Sequence, residues 1–148
     1  MTAVTALGFG QERHRGPNGG ARPAGSVGRY SVGMDTPSPT YYADLLAETV
    51  MPPRGILSQT LSKADGIELV LFAFAAGEAL TEHTSARPAI IHVLSGEGDL
   101  TVAGEPYAAR PGTWVRLPPD CRHSIAARAP LVMALYLLPA TGIADAGG

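Results

Sequence analysis

From Gly55 onward the apolar residues fall into short runs broken by glycine, proline and acidic turns. Gly55–Leu61 and Ile67–Ala75 flank Ser62-Lys63-Ala64-Asp65-Gly66, whose Asp-Gly step is a hairpin signal. Further strand-like runs follow at Ala89–Leu94, Asp99–Val102, Thr113–Leu117, Ser124–Ala127 and Leu131–Leu138. Gly96-Glu97-Gly98, Gly104-Glu105-Pro106, Arg110-Pro111-Gly112 and Pro118-Pro119-Asp120 separate them. This rhythm predicts an all-β sandwich or barrel. Leu69–Ala75 is apolar at successive positions rather than alternating, so both of its faces are expected to be covered. The second cover is either another subunit or the lead-in segment 41–50, which reads as a short helix or irregular strand ended by Pro52-Pro53.

Composition narrows the class. At 148 residues, with 45% apolar and 16% charged, the chain suits one ordinary domain with a packed core. A net charge of −2 argues against a nucleic-acid partner, and no apolar run is long enough to span a membrane. The single cysteine, Cys121, allows no internal disulfide and fits a cytoplasmic location. Residues 1–38 hold eight glycines and four arginines with few large apolar side chains, the composition of a disordered tail or of an over-long start with Met34 as alternative initiator. The expected organisation is therefore a tail over 1–38, a barrel domain over 39–141 and a flexible end over 142–148.

Two spaced motifs carry more. Gly77 is followed by five residues and His83, and six residues separate Ala89 from Gly96. Gly112 is followed by five residues and Pro118, with Asp120, His123 and Ala127 at set intervals beyond. The segment Gly77–His123 thereby resembles the cupin superfamily, of the small single-domain, RmlC-like kind. The resemblance implies a double-stranded β-helix, a jelly-roll barrel, over roughly residues 55–138.

In metal-binding cupins three histidines and a glutamate converge inside the barrel. By that resemblance His83 and His123 are candidate ligands of one divalent ion (Fe, Mn, Ni or Zn), but Ser85 and Ala89 occupy the other two ligand positions. Alanine offers no donor atom and a neutral hydroxyl is a weak one. His92 lies an odd number of residues from His83 and Ala89, so strand alternation turns it away from the cavity. Cys121 is a soft donor two residues before His123 but reads as a bystander. Arg87 either presents its guanidinium at the cavity mouth or is a surface arginine. On the strand 113–117, Val115 and Leu117 suit a cavity wall better than Trp114 and Arg116.

The expected object is a small-molecule-binding cupin, an expected homodimer, with a cavity holding His83, Ser85, Ala89 and His123 and an incomplete metal site. The alternatives are a metal-dependent cupin enzyme (dioxygenase-, isomerase- or decarboxylase-like) using His83, His123 and a third ligand, and a metal-free epimerase-like cupin. The epimerase chemistry would need a histidine base and a tyrosine acid, for which Tyr107 and Tyr136 are available. No residue is singled out as catalytic.

Overall fold

The structure, a computed structural model, describes residues 38–140 and, ahead of them, the backbone of two short strands. Those strands aside, the expected tail over 1–38, the alternative start at Met34 and the end over 142–148 lie outside the described residues.

Among the described residues eleven strands appear in chain order: β1 (Ala3–Val4), β2 (Glu12–His14), β3 (Ile56–Ala64), β4 (Ile67–Phe74), β5 (Ala79–His83), β6 (Ala89–Ser95), β7 (Gly98–Val102), β8 (Glu105–Ala109), β9 (Trp114–Leu117), β10 (His123–Ala127) and β11 (Leu131–Leu137). They form two sheets, one ordered β1-β5-β10-β7-β8 and the other β2-β3-β4-β11-β6-β9. Pairings among β3–β11 are all antiparallel, and β1 and β2 add parallel to β5 and β3. The lead-in is irregular apart from one 3-10 turn at Leu46–Glu48.

Local chemistry explains the connections. Asp65 and Gly66 both take positive φ, 55° and 78°, the requirement for a two-residue turn whose twist matches the strands. Gly96, between β6 and β7, sits at φ +89°, and a Cβ there would run into the backbone of Pro130 and Leu131. Only glycine serves at that crossing.

Within residues 38–140 the sequence pattern misses two strands. β5 has one buried pair, Ala79 and Leu80, before its polar end, too short for a clear period. β8 is exposed over four of its five residues and contains Pro106, which looks like a breaker. Because β8 lies at the edge of its sheet, the absent proline N–H leaves no central ladder bond unmade.

Between the sheets, Val70, Phe72 and Phe74 of β4 pack with Leu80, Ala89, Ile91, Val93, Leu100, Leu117 and Ile125 in one buried cluster. The opposite face of β4 contributes Leu69 and Leu71 to a second cluster with Leu61 and Ala134. Tyr42 and Leu45 from the lead-in pack on that cluster, and the Tyr42 hydroxyl donates to the Leu61 carbonyl at 2.6 Å. The second cover of the doubly apolar strand thus comes from within the chain, and its dryness does not call for another subunit.

Candidate functional site

His83 and His123 end and begin neighbouring strands and stand opposite each other in the ladder. On β10 the parity is simple: Ile125 and Ala127 belong to the inner cluster, and His123 shares their face. On β5 it is not. The register shifts between His123–His83 and Ile125–Leu80, so β5 uses one residue more than β10 over this stretch. Leu80 faces the inner cluster, and without that bulge His83 would face out. With it, the two rings meet with centroids 4.1 Å apart and planes at 60°. The barrel brings together two side chains forty positions apart in the sequence.

Both rings are held the same way. His83 Nδ1–H donates to the Thr81 carbonyl at 2.8 Å, and His123 Nδ1–H donates to the Cys121 carbonyl at 2.9 Å. A carbonyl only accepts, so each ring carries its proton on Nδ1 and keeps the Nε2 lone pair for another partner. His123 is buried, and burial pushes its pKa below the ordinary imidazole value. The hydrogen bond to Cys121 opposes that shift, and a charge on His83 would add to it.

The other expected cavity residues behave differently. The Ser85 hydroxyl accepts the Arg87 N–H at 3.2 Å, and its carbonyl accepts from Asp120 N at 2.7 Å, so Ser85 ties the loop 84–88 to the loop before β10. Ala89 is buried in the inner cluster opposite Leu117 and Leu137. Within β6 the alternation holds: Ala89, Ile91 and Val93 face inward, whereas His92 pairs with Trp114 and with Ala134 of the outer cluster. Leu117 and Val115 line the inside, and Trp114 is 57% exposed. Cys121 packs against the inner cluster as a half-buried apolar side chain, its Sγ 3.7 Å from the Arg122 carbonyl.

Arg87 does bind a carboxylate, but one of its own chain. Its Nη1–H donates to Glu68 Oε2 at 2.7 Å, Nη2–H to the carbonyls of Gly66 at 2.6 Å and Leu137 at 3.2 Å, and Nε–H to Leu138 at 2.9 Å. The guanidinium is used up in fastening the loop after His83 to the β3–β4 turn and the end of β11. Of the two tyrosines, Tyr136 packs on the outer cluster, across the sheet from the histidines. Tyr107 lies on β8, two strands from β10, and is 53% exposed.

The donor set can be weighed against a resident divalent ion. The two Nε2 atoms, each backed by an Nδ1–H to a carbonyl, suit a ligand role. The remainder does not: Ala89 has no donor, Ser85 is engaged with Arg87, and among the described residues no group of three His, Cys, Asp or Glu side chains is placed to hold an ion. Two imidazoles fall short of the three protein ligands usual even for an open catalytic site. Among the described residues no helix is long and apolar enough to cross a membrane.

Comparison with known proteins agrees with this architecture. The family described as Cupin domain matches residues 70–138. A cupin superfamily protein from Desulfitobacterium hafniense superposes with a TM-score of 0.60 at 24% identity, over 72% of this chain and 93% of that one. An RmlC-like cupin from Desulfovibrio desulfuricans gives 0.60 at 22% identity, over 67% and 96%. A Cupin 2 conserved barrel domain protein from Leptotrichia buccalis gives 0.58 at 26% identity, over 63% of this chain and 45% of that one. No curated protein matches the sequence. With both motifs in order, two largely antiparallel sheets and these likenesses, residues 70–138 form a cupin domain and the chain has the cupin fold.

Proposed function

We propose that this cupin binds a small molecule inside its barrel through His83 and His123, without a complete set of protein ligands for a metal ion. One observation carries the reading: two imidazoles with ring centroids 4.1 Å apart, each fixed through Nδ1, keep their Nε2 lone pairs for another partner. Such a pair is an oriented hydrogen-bond acceptor, and its buried member, His123, gains by finding a partner. A divalent ion would meet only these two nitrogens, so the metal-dependent enzyme reading lacks its third ligand among the described residues. The epimerase-like reading is weakened by the placement of Tyr136 on the outer face. A homodimer and a cytoplasmic location belong to the same proposal. Support for the first is exposed Trp114 beside His92 on the outside of the barrel, and for the second the free thiol of Cys121.

The test is elemental analysis and mass spectrometry of small molecules extracted from protein purified without an affinity tag. A molecule carried by the wild-type protein and by His92→Ala, but lost in His83→Ala and His123→Ala, supports the reading. Near-stoichiometric iron, manganese, nickel or zinc in the wild type, stripped by either inner substitution, would replace it with the metal-dependent enzyme.

A further inference from the structure

The two imidazoles are anchored alike but not by the same kind of structure. His83 Nδ1–H bonds the carbonyl of Thr81, a residue of β5 itself, so the strand that carries His83 also carries its anchor. β10 starts only at His123, and the Cys121 carbonyl that accepts the His123 Nδ1–H lies ahead of it, in the connection from β9. The orientation of His123 therefore depends on a loop.

That loop is a turn of one definite type. The Cys121 N–H donates to the Pro118 carbonyl at 3.3 Å, which closes a four-residue turn over Pro118, Pro119, Asp120 and Cys121. Proline at the second position is locked at negative φ, whereas Asp120 at the third has φ 63°. Together these make the turn type II, whose third position favours glycine or asparagine. Aspartate in the left-handed region is uncommon, and the Asp120 side chain is exposed, so no burial explains the choice. The backbone around it is tied on both sides. Asp120 N–H donates to the carbonyl of Ser85, two residues past His83, at 2.7 Å, and the Arg122 carbonyl accepts the Ala103 N–H at 2.8 Å. Asp120 is thus where the segment after His83 meets the segment before His123.

We propose that Asp120 is a positioning residue of the histidine site: its left-handed backbone places the Cys121 carbonyl on His123 Nδ1 and so reserves the His123 Nε2 lone pair for a bound molecule. The proposal rests on the small-molecule reading of the histidine pair. Its physical content is a choice of tautomer. While the carbonyl stands against Nδ1, which must then donate, Nε2 remains an acceptor. If the turn opens, Cys121 moves with it, and the proton is free to pass to Nε2, which turns an acceptor into a donor. What matters is the conformation and not the carboxylate. Asparagine and glycine adopt the same φ, alanine does so under strain, and a β-branched residue resists it. His83, anchored within its own strand, is the internal control.

The experiment uses the full chain, labelled with nitrogen-15, and reads the tautomer of each imidazole by long-range proton–nitrogen NMR at about pH 8, where histidine is ordinarily neutral. The wild type, Asp120→Asn and Asp120→Gly are expected to hold both rings as Nδ1–H. In Asp120→Val the ratio of Nδ1–H to Nε2–H at His123 should fall about fivefold, the loss of one hydrogen bond, while His83 is unchanged. Asp120→Ala, the milder change that covers a valine variant too unstable to fold, should move His123 the same way by less. A folded valine or alanine variant with His123 as in the wild type overturns the proposal. So does an equal shift at His83, which would mean a general loosening, or a shift in Asp120→Asn, which would assign the effect to the carboxylate. Small molecules extracted from the same wild-type protein are analysed separately by mass spectrometry. If none is found, the small-molecule reading falls, and the tautomer ratios still decide whether Asp120 positions His123.

Discussion

Arg87 offers the sharpest measure of how the barrel mouth is held. Its guanidinium makes four hydrogen bonds, one of 2.7 Å to the Glu68 carboxylate and three to the carbonyls of Gly66, Leu137 and Leu138. The two charged side chains are 29% and 17% exposed, so the pair is neither a solvated surface bridge nor fully desolvated. Arg87→Ala removes all four bonds and leaves a half-buried carboxylate with only Lys63, 3.9 Å away and largely exposed, as a cationic neighbour. Charge-assisted hydrogen bonds contribute about 1.5–3 kcal/mol each when fully buried, but here solvent reaches the carbonyls and replaces part of what is lost. The expected cost is about 2–4 kcal/mol, a fall in Tm of roughly 10–25 °C for a domain of this size. Arg87→Lys keeps the charge but not the planar fork, and should lose about half as much. Glu68→Gln should cost less than Arg87→Ala, because the three carbonyl bonds remain. In urea unfolding, a double-mutant cycle between Arg87→Ala and Glu68→Gln should return a coupling of about 1–2 kcal/mol. An Arg87→Ala protein within about 0.5 kcal/mol of the wild type would refute the reasoning and return Arg87 to the class of surface arginines.

Two further outcomes follow from the same structure. His123 has a folded pKa below its unfolded value of about 6.5, so the unfolded chain takes up the proton first on acidification. The urea midpoint should hold above pH 6.5 and decline as pH falls through the folded value, and His123→Gln should flatten that decline; an unchanged slope would remove His123 as its cause. At Gly96, alanine must adopt φ +89° and displace the backbone of Pro130 and Leu131, so Gly96→Ala should cost at least about 2 kcal/mol, with a Tm within 2 °C of the wild type as the contrary result.

What the sequence could reveal depended on whether the signal was local. The β3–β4 turn was legible because Asp65-Gly66 has only one favourable use between two apolar runs, and both residues adopt the positive φ it requires. The inward face of Ala89 and the outward face of His92 were legible because alternation is strict within one strand, and β6 keeps its period from Ala89 to Val93. Carrying that parity from His83 to Ala89 has no such force, since the loop 84–88 and a change of sheet intervene. The inward face of His83 instead depends on the bulge in β5, which nothing in Ala-Leu-Thr-Glu-His announces; the motif spacing carried that information where periodicity could not. Arg87 was ambiguous because its partners come from Glu68, Gly66 and the end of β11, all set by tertiary register. The buried hydroxyl of Thr60 was invisible for a related reason. A threonine in a strand is the most ordinary of residues. Only the burial of Oγ1 without a hydrogen-bond partner among the described residues distinguishes it from a strand-former. Strand alternation can say which side of a sheet a donor or acceptor occupies; which groups then share a chamber is decided by strands far apart in the chain.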